Sequence, residues 1–432
     1  MRFARLQSDG VGSPLGIEEL VASARLDYLQ LDYPRPRSMA VEGTDPPELP
    51  EHAVGFGDAL RAVVKPLYLD PQLHLFASAG WADAYTCVER AAAVMVEGGC
   101  GDMPMAAVRG SNLLPIIDML EGEGVKLDHA ETGARWRELR SPVLAADLQL
   151  GAGPLAVALA EQARIVIAGA FDGRAPIIAA AVHAFNWRWQ DHDRLAAAAA
   201  ASRAASWIDW DSFADCAANG RWRPNWIELD GEARIVVEPA TADERAAARL
   251  QQWLREGDTA ATENVCSDVR EERASVACGL AGPGQLTVAG ARGQSDDDCW
   301  QLEILYEAGF SVEAMIEFSP NADPRWRRHL AAIARHALDA RRDDEGLLTI
   351  EELHLVGDSG AGWLHVAYQA RTHAECALVA DQIVKLAAAH QPHARLASGR
   401  PTVHVHCGLW PVRVPRDAVD VAVETRLARE WI

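Results

Sequence analysis

Short apolar runs alternate with stretches of helical periodicity through the first half of the chain. The runs Arg2–Leu6, Leu26–Asp32, Leu73–Ala79, Met105–Arg109, Val143–Leu150 and Ile165–Ala170 have the length and near-continuous apolar character of buried strands. Helical segments lie between them. Ile17–Ala24 follows a turn of Gly, Ser and Pro. Asp83–Glu97 and Asn112–Glu121 begin with residues suited to an N-cap, and Pro154–Gln162 and Ala175–Phe185 carry Pro in the first turn. Strands separated by helices predict βαβ units, hence an α/β fold with a mostly parallel sheet and flanking helices. Spacing alone leaves a doubly wound sheet and a partial barrel both open; either places ligands at the carboxyl ends of the strands.

The pattern changes after an Ala-rich helix, His192–Trp207. Asp230-Gly231 between Trp226–Leu229 and Arg234–Glu238 predicts a hairpin. Ala242–Arg255 reads as helix. Strand-like runs follow at Val265–Arg270, Ala274–Cys278, Leu286–Arg292 and Trp300–Tyr306. An amphipathic helix is predicted over Arg325–Arg341, carrying His329 and His336. Leu348–Val356, Gly362–Ala370, a helix Ala374–His390 and Val403–Leu409 complete the chain. Adjacent strands with few helices predict a second, α+β domain with a mixed or antiparallel sheet. The boundary is expected in the polar stretch 209–225, giving domains 1–210 and 211–432, the site lying in the first.

Charge narrows the partners. Lys plus Arg number 41 against 62 Asp plus Glu, a net charge of −21, which argues against nucleic acid and anionic lipid. No apolar run approaches the ~20 residues of a membrane span, and the opening MRFARLQSDG lacks the hydrophobic core of a signal peptide. A cytoplasmic protein is the expectation. The 8 cysteines are scattered without a CxxC pair, which predicts reduced thiols and no zinc ribbon. No dinucleotide fingerprint, Walker loop, GxSxG elbow or HExxH occurs, so no cofactor is predicted.

Several weaker features are better explained by structure than by chemistry. The turn Ser8–Ser13 could hold an anion before a helix, but its glycine spacing is wrong for a dinucleotide. His404 and His406 alternate on one strand face without a nearby acidic third ligand, so no metal is assigned. Gln294–Asp298 reads as a solvated loop. Trp is frequent at 14, against 8 Phe and 6 Tyr; Trp187, Trp189, Trp207, Trp210, Trp222 and Trp226 bracket the expected domain junction. Packing is the first reading of this group, an apolar ligand wall the second. Polar residues at strand ends form the better pool: Asp32 and Tyr33; Ser78, Gly80, Trp81 and Asp83; Arg109, Ser111 and Asn112; Asp147, Gln149 and Gly151; Asp172 and Arg174. Capping explains part of Asp83, Ser111 and Asn112. Asp147 and Gln149 are harder to dismiss, because polar side chains in a buried apolar strand need partners. Asp147 is expected to face the strand-end pocket within reach of an Arg or a bound ligand: either Arg109 or Arg174 compensates it, or its pKa is raised and it serves as acid or base.

These strand ends resemble the acyclic terpene utilisation (AtuA-like) family. The resemblance is carried by Asp147-Leu148-Gln149-Leu150-Gly151-Ala152, by Arg164-Ile165-Val166-Ile167-Ala168-Gly169, by His183-Ala184-Phe185-Asn186-Trp187 and by Asp193-Arg194-Leu195-Ala196. Leu26–Leu29, Ser78-Ala79-Gly80, Val108–Leu113, Val288–Gly293 and Pro415-Arg416 extend it in order along the chain. The departures fall at the strand ends. The family's Gly-Asp-Arg turn is spread into Gly10, Gly12 and Gly16, its Asn and Tyr on the fifth strand align with Asp147 and Gln149, and its Arg after the sixth is missing. The site is therefore either tuned to another substrate or inactive.

The resemblance implies a role near catabolism of branched acyclic isoprenoid acids, through lyase or hydratase steps on a hydroxy acid or its acyl-CoA thioester. Such steps need a base, an acid and donors for an enolate. Asp147 or Asp172 would be the base and Arg109 or Arg174 the clamp. Ser78, Ser111 and Gln149 would donate, and Gly80, Trp81, Asp83, Asn112 and Gly151 would line the substrate. The alternatives are a non-catalytic homologue or scaffold subunit, and an enzyme acting on an unrelated natural-product intermediate. A homo-oligomer is expected.

Overall fold

The computed structural model describes residues 1–8, 12–35, 38–40, 50–219, 225–239, 241–256, 268–295, 298–318, 332, 347–354, 362–389, 391, 394–397 and 399–432. Its first sheet is built on five parallel neighbours in the order β1 (Arg2–Gln7), β2 (Tyr28–Asp32), β4 (His74–Ala77), β7 (Ile165–Ala168) and β5 (Pro104–Arg109). Alternate side chains enter two different cores, as the two-residue period of a strand requires. Phe3, Tyr28, Phe76, Val166 and Val108 point to one; Leu6, Leu29, Leu31, Ile165 and Met105 point to the other. Helices α1 (Ile17–Ser23), α2 (Phe56–Leu69) and α3 (Ala84–Glu97) cover the second face. Helices α4 (Ile117–Gly122), α5 (Ala152–Ala160), α6 (Ala175–Phe185) and α7 (His192–Asn219) cover the first. The sheet is thus open and covered on both faces, which decides between the two topologies left by the sequence.

The sheet continues past β1 through the antiparallel β8 (Ile227–Leu229), β9 (Ile235–Val237), β12 (Gln285–Ala289) and β11 (Ala277–Gly282). At its other end β19 (Ala422–Leu427) runs antiparallel to β5. Helix α8 (Glu244–Glu256) packs by Leu250 and Leu254 onto this extension. A short ribbon joins β10 (Arg270–Glu271) to β13 (Gly293–Gln294).

The second sheet is organised by β14 (Cys299–Phe318). One edge of β14 pairs with β18 (Val403–Pro415) and then β17 (Ala394–Leu396). The other pairs with β6 (Val143–Gln149) over Gln301–Tyr306 and with β16 (Gly362–Ala370) over Phe310–Phe318. The change of partner coincides with a bulge at Glu307/Gly309. Gly309 has φ 143°, and a Cβ there would stand 2.6 Å from the Ala370 carbonyl, so glycine is required. β15 (Leu347–His354) and β3 (Ser38–Ala40) form the edges, and α9 (His373–Ala389) packs by Cys376, Val379 and Ile383 against β14 and β16. Leu302, Ile304, Trp410 and Val412 enter the same core as Phe3 and Val166, so the two sheets share a core through the layer containing α5 and α6.

One expectation is corrected. Val143–Gln149 is a strand but runs antiparallel to β14 in the second sheet, not in the parallel sheet; its Ala146 and Leu148 find their apolar cover there. Helix α7 runs on into the polar stretch after residue 208, as far as Asn219. Strands from both sides of residue 210 meet in both sheets. Helix α2 was not anticipated, and β14 and β18 run well past the predicted ends. Arg325–Arg341 apart from residue 332, His329 and His336, and the first three residues of Val265–Arg270 lie outside the described residues, as do the side chains of Trp210 and Trp222. Among the described residues no helix is long and apolar enough to cross a membrane.

Gly55, at the start of α2, lies against the backbone of Gly12 and Ser13, and an added Cβ would run into both. Backbone cannot swing aside as a side chain can. Gly55→Ala is expected to lower the unfolding free energy by at least ~1–3 kcal/mol, measured by urea denaturation; an unchanged midpoint would show that the loop after β1 is not held by this contact.

Candidate active site

A cavity of about 240 Å³ lies at the carboxyl ends of the parallel strands. Its floor comes from Arg5 and Gln7 of β1, Asp32 of β2, Tyr33–Arg35 after β2, and Ser78 and Trp81 after β4. Gly169, Ala170, Phe171 and Gly173, which follow β7, complete that side. The opposite wall is brought by the second sheet: Asp147 and Gln149 from β6, and Glu303 and Leu305 from β14. Along β6, Ala146 and Leu148 face the shared core, so the alternation turns Asp147 and Gln149 to the other side. Glu303 pairs with Asp147 in the antiparallel register, and both side chains line the cavity.

The cavity is dominated by two ion pairs. Arg35 grips Asp147 bidentately, Nε donating to Oδ2 at 2.6 Å and Nη2 to Oδ1 at 2.9 Å, with each side chain only 8% exposed. No described residue accepts from Nη1 of Arg35, and that atom is not among the buried unpaired polar atoms, so it faces accessible space. The guanidinium lies over the Trp81 ring, 5.6 Å from the centroid, and Trp81 Nε1 donates to the Tyr33 carbonyl at 2.8 Å. Ser78 Oγ accepts from the Tyr33 amide at 2.9 Å. Trp81 and Ser78 therefore hold the loop that presents Arg35. In the second pair Arg5 donates to Asp32, whose carboxylate also accepts from Gln30 Nε2 at 2.8 Å and 3.0 Å. Arg5 reaches Ser206 of α7 at 2.6 Å. Burial pushes the Asp147 carboxyl above its ordinary range, against the pull of the Arg35 charge and its hydrogen bonds.

Of the residues singled out from the sequence, Asp32, Tyr33, Ser78, Trp81, Asp147 and Gln149 line this cavity. Gly80, Asp83, Arg109, Ser111, Asn112, Gly151, Asp172 and Arg174 do not. Arg109 is exposed and lies over Tyr85, 4.7 Å from the ring centroid, so it cannot compensate Asp147. Asp83 caps α3, accepting from the Tyr85 amide at 2.9 Å and Thr86 Oγ1 at 2.7 Å. Asn112 accepts from the Leu114 amide and donates to the Ala82 carbonyl, and the Ser111 carbonyl accepts from Leu148. Gly80 turns tightly over Ala84.

Asp172 and Arg174 belong to a separate buried network. Arg174 donates to both Asp172 oxygens, at 2.9 Å and 2.7 Å, and reaches Glu271 at 3.5 Å; Arg203 binds Glu271 at 2.6 Å. Asp268 sits beside them. Its carboxylate accepts from Ala152 at the start of α5 at 2.8 Å and leaves no room for a Cβ on Gly151. Burial raises Asp268 to about 6; the Ala152 bond and the Arg416 and Arg174 charges oppose this, and Asp172 adds to it.

The sequence reading missed Arg5, Arg35 and Glu303. Arg5 interrupts the apolar strand Arg2–Gln7 as Asp147 interrupts its own, so the same reasoning would have found it. Arg35 sits in the sequence Tyr33-Pro34-Arg35-Pro36-Arg37, a proline-flanked basic stretch directly after a strand. Two of the tryptophans pack and a third does not: Trp187 Nε1 donates to the Gly231 carbonyl at 3.1 Å, Trp207 is buried, and Trp189 is exposed. His404 and His406 lie on β18, and no group of three His, Cys, Asp or Glu able to hold a metal occurs among the described residues.

Comparison with known proteins gives one family. Residues 11–204 match the model of acyclic terpene utilisation family protein AtuA, so the chain is AtuA-like over that span; the similar stretches quoted beyond it, such as Val288–Gly293, lie outside the match. No curated protein matches the chain. A solved amidase of the hydantoinase/carbamoylase family from Burkholderia phymatum is 14% identical over 26% of this chain and 30% of its own, with a TM-score of 0.17, too low to support any argument.

Asp268 gives a signed pH dependence. A carboxyl raised from 3.8 to about 6 on folding favours the native state fully below pH ~4 and loses that contribution as pH rises through 6. Asp268→Asn keeps an oxygen for the Ala152 amide without the charge. It is expected to be more stable than wild type at pH 7.5, by up to ~2–3 kcal/mol, the gap closing toward pH 4 in urea titrations. A less stable variant at pH 7.5 would count against this.

Proposed function

With residues 11–204 AtuA-like as the premise, we propose that the protein serves acyclic terpene utilisation as a lyase or hydratase. Its substrate would be a short branched hydroxy acid or its acyl thioester. The observation that carries this reading is the Arg35–Asp147 pair, held in a small closed-backed cavity with a second carboxylate, Glu303, across the strand pairing. Loss of water from a β-hydroxy acid needs one group to protonate the departing hydroxyl and another to take the proton from the neighbouring carbon. Two carboxylates whose surroundings differ can divide those tasks. Asp147, whose proton affinity is raised by burial, is the acid; Glu303, half-buried, is the base. Arg35 faces the substrate's carboxyl or carbonyl oxygen through Nη1, and a guanidinium is suited to such an oxygen. Phe171, Leu305 and the body of Trp81 offer apolar contact for the branched carbons.

The alternative quartet of Asp147, Asp172, Arg109 and Arg174 has no support in this geometry, since Asp172 and Arg174 are engaged with each other and Arg109 lies on the surface. Glu303→Gln is expected to lower the interconversion of a 3-hydroxy-3-methyl acid or thioester and its unsaturated product about 10²–10⁴-fold, followed by mass spectrometry. Asp147→Asn should do the same, and also lose up to ~3–5 kcal/mol of stability by leaving Arg35 without its counter-charge. Full turnover in both folded variants would overturn the acid–base assignment.

A further inference from the structure

The lining of the cavity carries the guanidinium groups of Arg5 and Arg35 and the carboxyl groups of Asp32, Asp147 and Glu303. Each guanidinium is already engaged by a carboxylate, Arg5 by Asp32 and Arg35 by Asp147. An incoming anion therefore meets no surplus of positive charge. The 240 Å³ volume also lies below the ~300–1,000 Å³ typical of pockets for drug-sized ligands. Among the described residues that line it, phosphates of coenzyme A would find no guanidinium that is not already engaged by a carboxylate. A small carboxylate can still enter if one of the resident carboxylates gives way. Asp32 is the poorer candidate, because Gln30 and Arg5 hold it together. Asp147 is held by Arg35 alone among the described residues, its register neighbour across the pairing being Glu303.

We infer that the substrate is a free short-chain carboxylate that takes over the Arg35 guanidinium from Asp147, and that Asp147 accepts a proton from solvent as it is displaced. This inference rests on the reading of the cavity as a hydroxy-acid site. One carboxylate and one proton enter together, so the charge of the cavity is unchanged. Before binding, Arg35 faces ionised Asp147; afterwards it faces the ligand's carboxylate, and Asp147 is a neutral carboxylic acid. No buried charge is left unpaired at either stage, which is the condition a dry site imposes. Removal of the Arg35 contact takes away the influence that opposes protonation of Asp147, leaving burial to favour it. Binding of the correct ligand would thus arm the general acid. Trp81, stacked on Arg35 and tied to the Tyr33 carbonyl, keeps the guanidinium in place while its partners exchange.

The test uses isovalerate, a branched carboxylate without a hydroxyl and so unable to turn over, and its uncharged amide. Titration calorimetry of the full chain at pH 7.5, in buffers of different ionisation enthalpy, reads the protons taken up on binding. The expected result is uptake of about one proton per isovalerate bound, with the amide binding at least tenfold more weakly and without proton uptake. Asp147→Asn should bind isovalerate with no buffer dependence, and Arg35→Gln should not bind it. Isovalerate binding to the wild type without proton uptake overturns the exchange, as does an amide that binds equally well. Failure of the carboxylate to bind at millimolar concentration overturns it too. Turnover of a hydroxy acid without proton-linked binding would leave the lyase reading standing and this inference refuted; proton-linked binding without any turnover would do the reverse.

Discussion

The bidentate contact between Arg35 and Asp147 is the constraint on which the candidate site depends. Arg35 comes from the loop after β2, at the carboxyl edge of the parallel sheet; Asp147 comes from β6, a strand of the second sheet. At the cavity these two layers bring charged groups together, and the ion pair is what makes their burial tolerable. Removing either partner would leave a charge in a place with little water, which costs several kcal/mol. Trp81 and Ser78 then act on the pair indirectly, by fixing the Tyr33 backbone from which Arg35 extends.

A second layer of buried charge supports the first. Asp172, Arg174, Glu271 and Arg203 tie the segment after β7 to α7 and to β10, and Asp268 clamps the start of α5 directly after β6. These groups do not line the cavity, yet they fix the turns on either side of it: Gln149-Leu150-Gly151 on one strand and Phe171-Asp172-Gly173 after the other. Gly173 lies against the Arg5 guanidinium, which joins this network to the Asp32 pair. A fold that gathers residues from distant parts of the chain holds them in place with charge as well as with apolar packing.

The alternation of β6 explains why one strand serves both purposes. Its even face, Ala146 and Leu148, is part of the large core shared by the sheets, while Asp147 and Gln149 look into the cavity. The strand is thus fixed in register by burial on one side, and a slip by one residue would put the carboxylate into the core. Precise placement of the acid follows from apolar packing on the opposite face.

The residues of the first half specified the parallel α/β layer by themselves, because short apolar runs and capped helices are local signals: Ala175–Phe185 is a helix with the predicted ends, and Asp83 caps α3 as its side-chain chemistry requires. The sequence also marked Asp147 and Gln149, since a polar side chain in an apolar strand is visible without knowing its partner. It did not show that this strand leaves the parallel sheet, because a strand buried on both faces has the same composition beside a parallel or an antiparallel neighbour. Nor did it show Arg35 or Glu303 as Asp147's companions. They lie 112 and 156 positions away, and pairing over such distances is decided by which layers pack together, a property of the folded chain that no local pattern records.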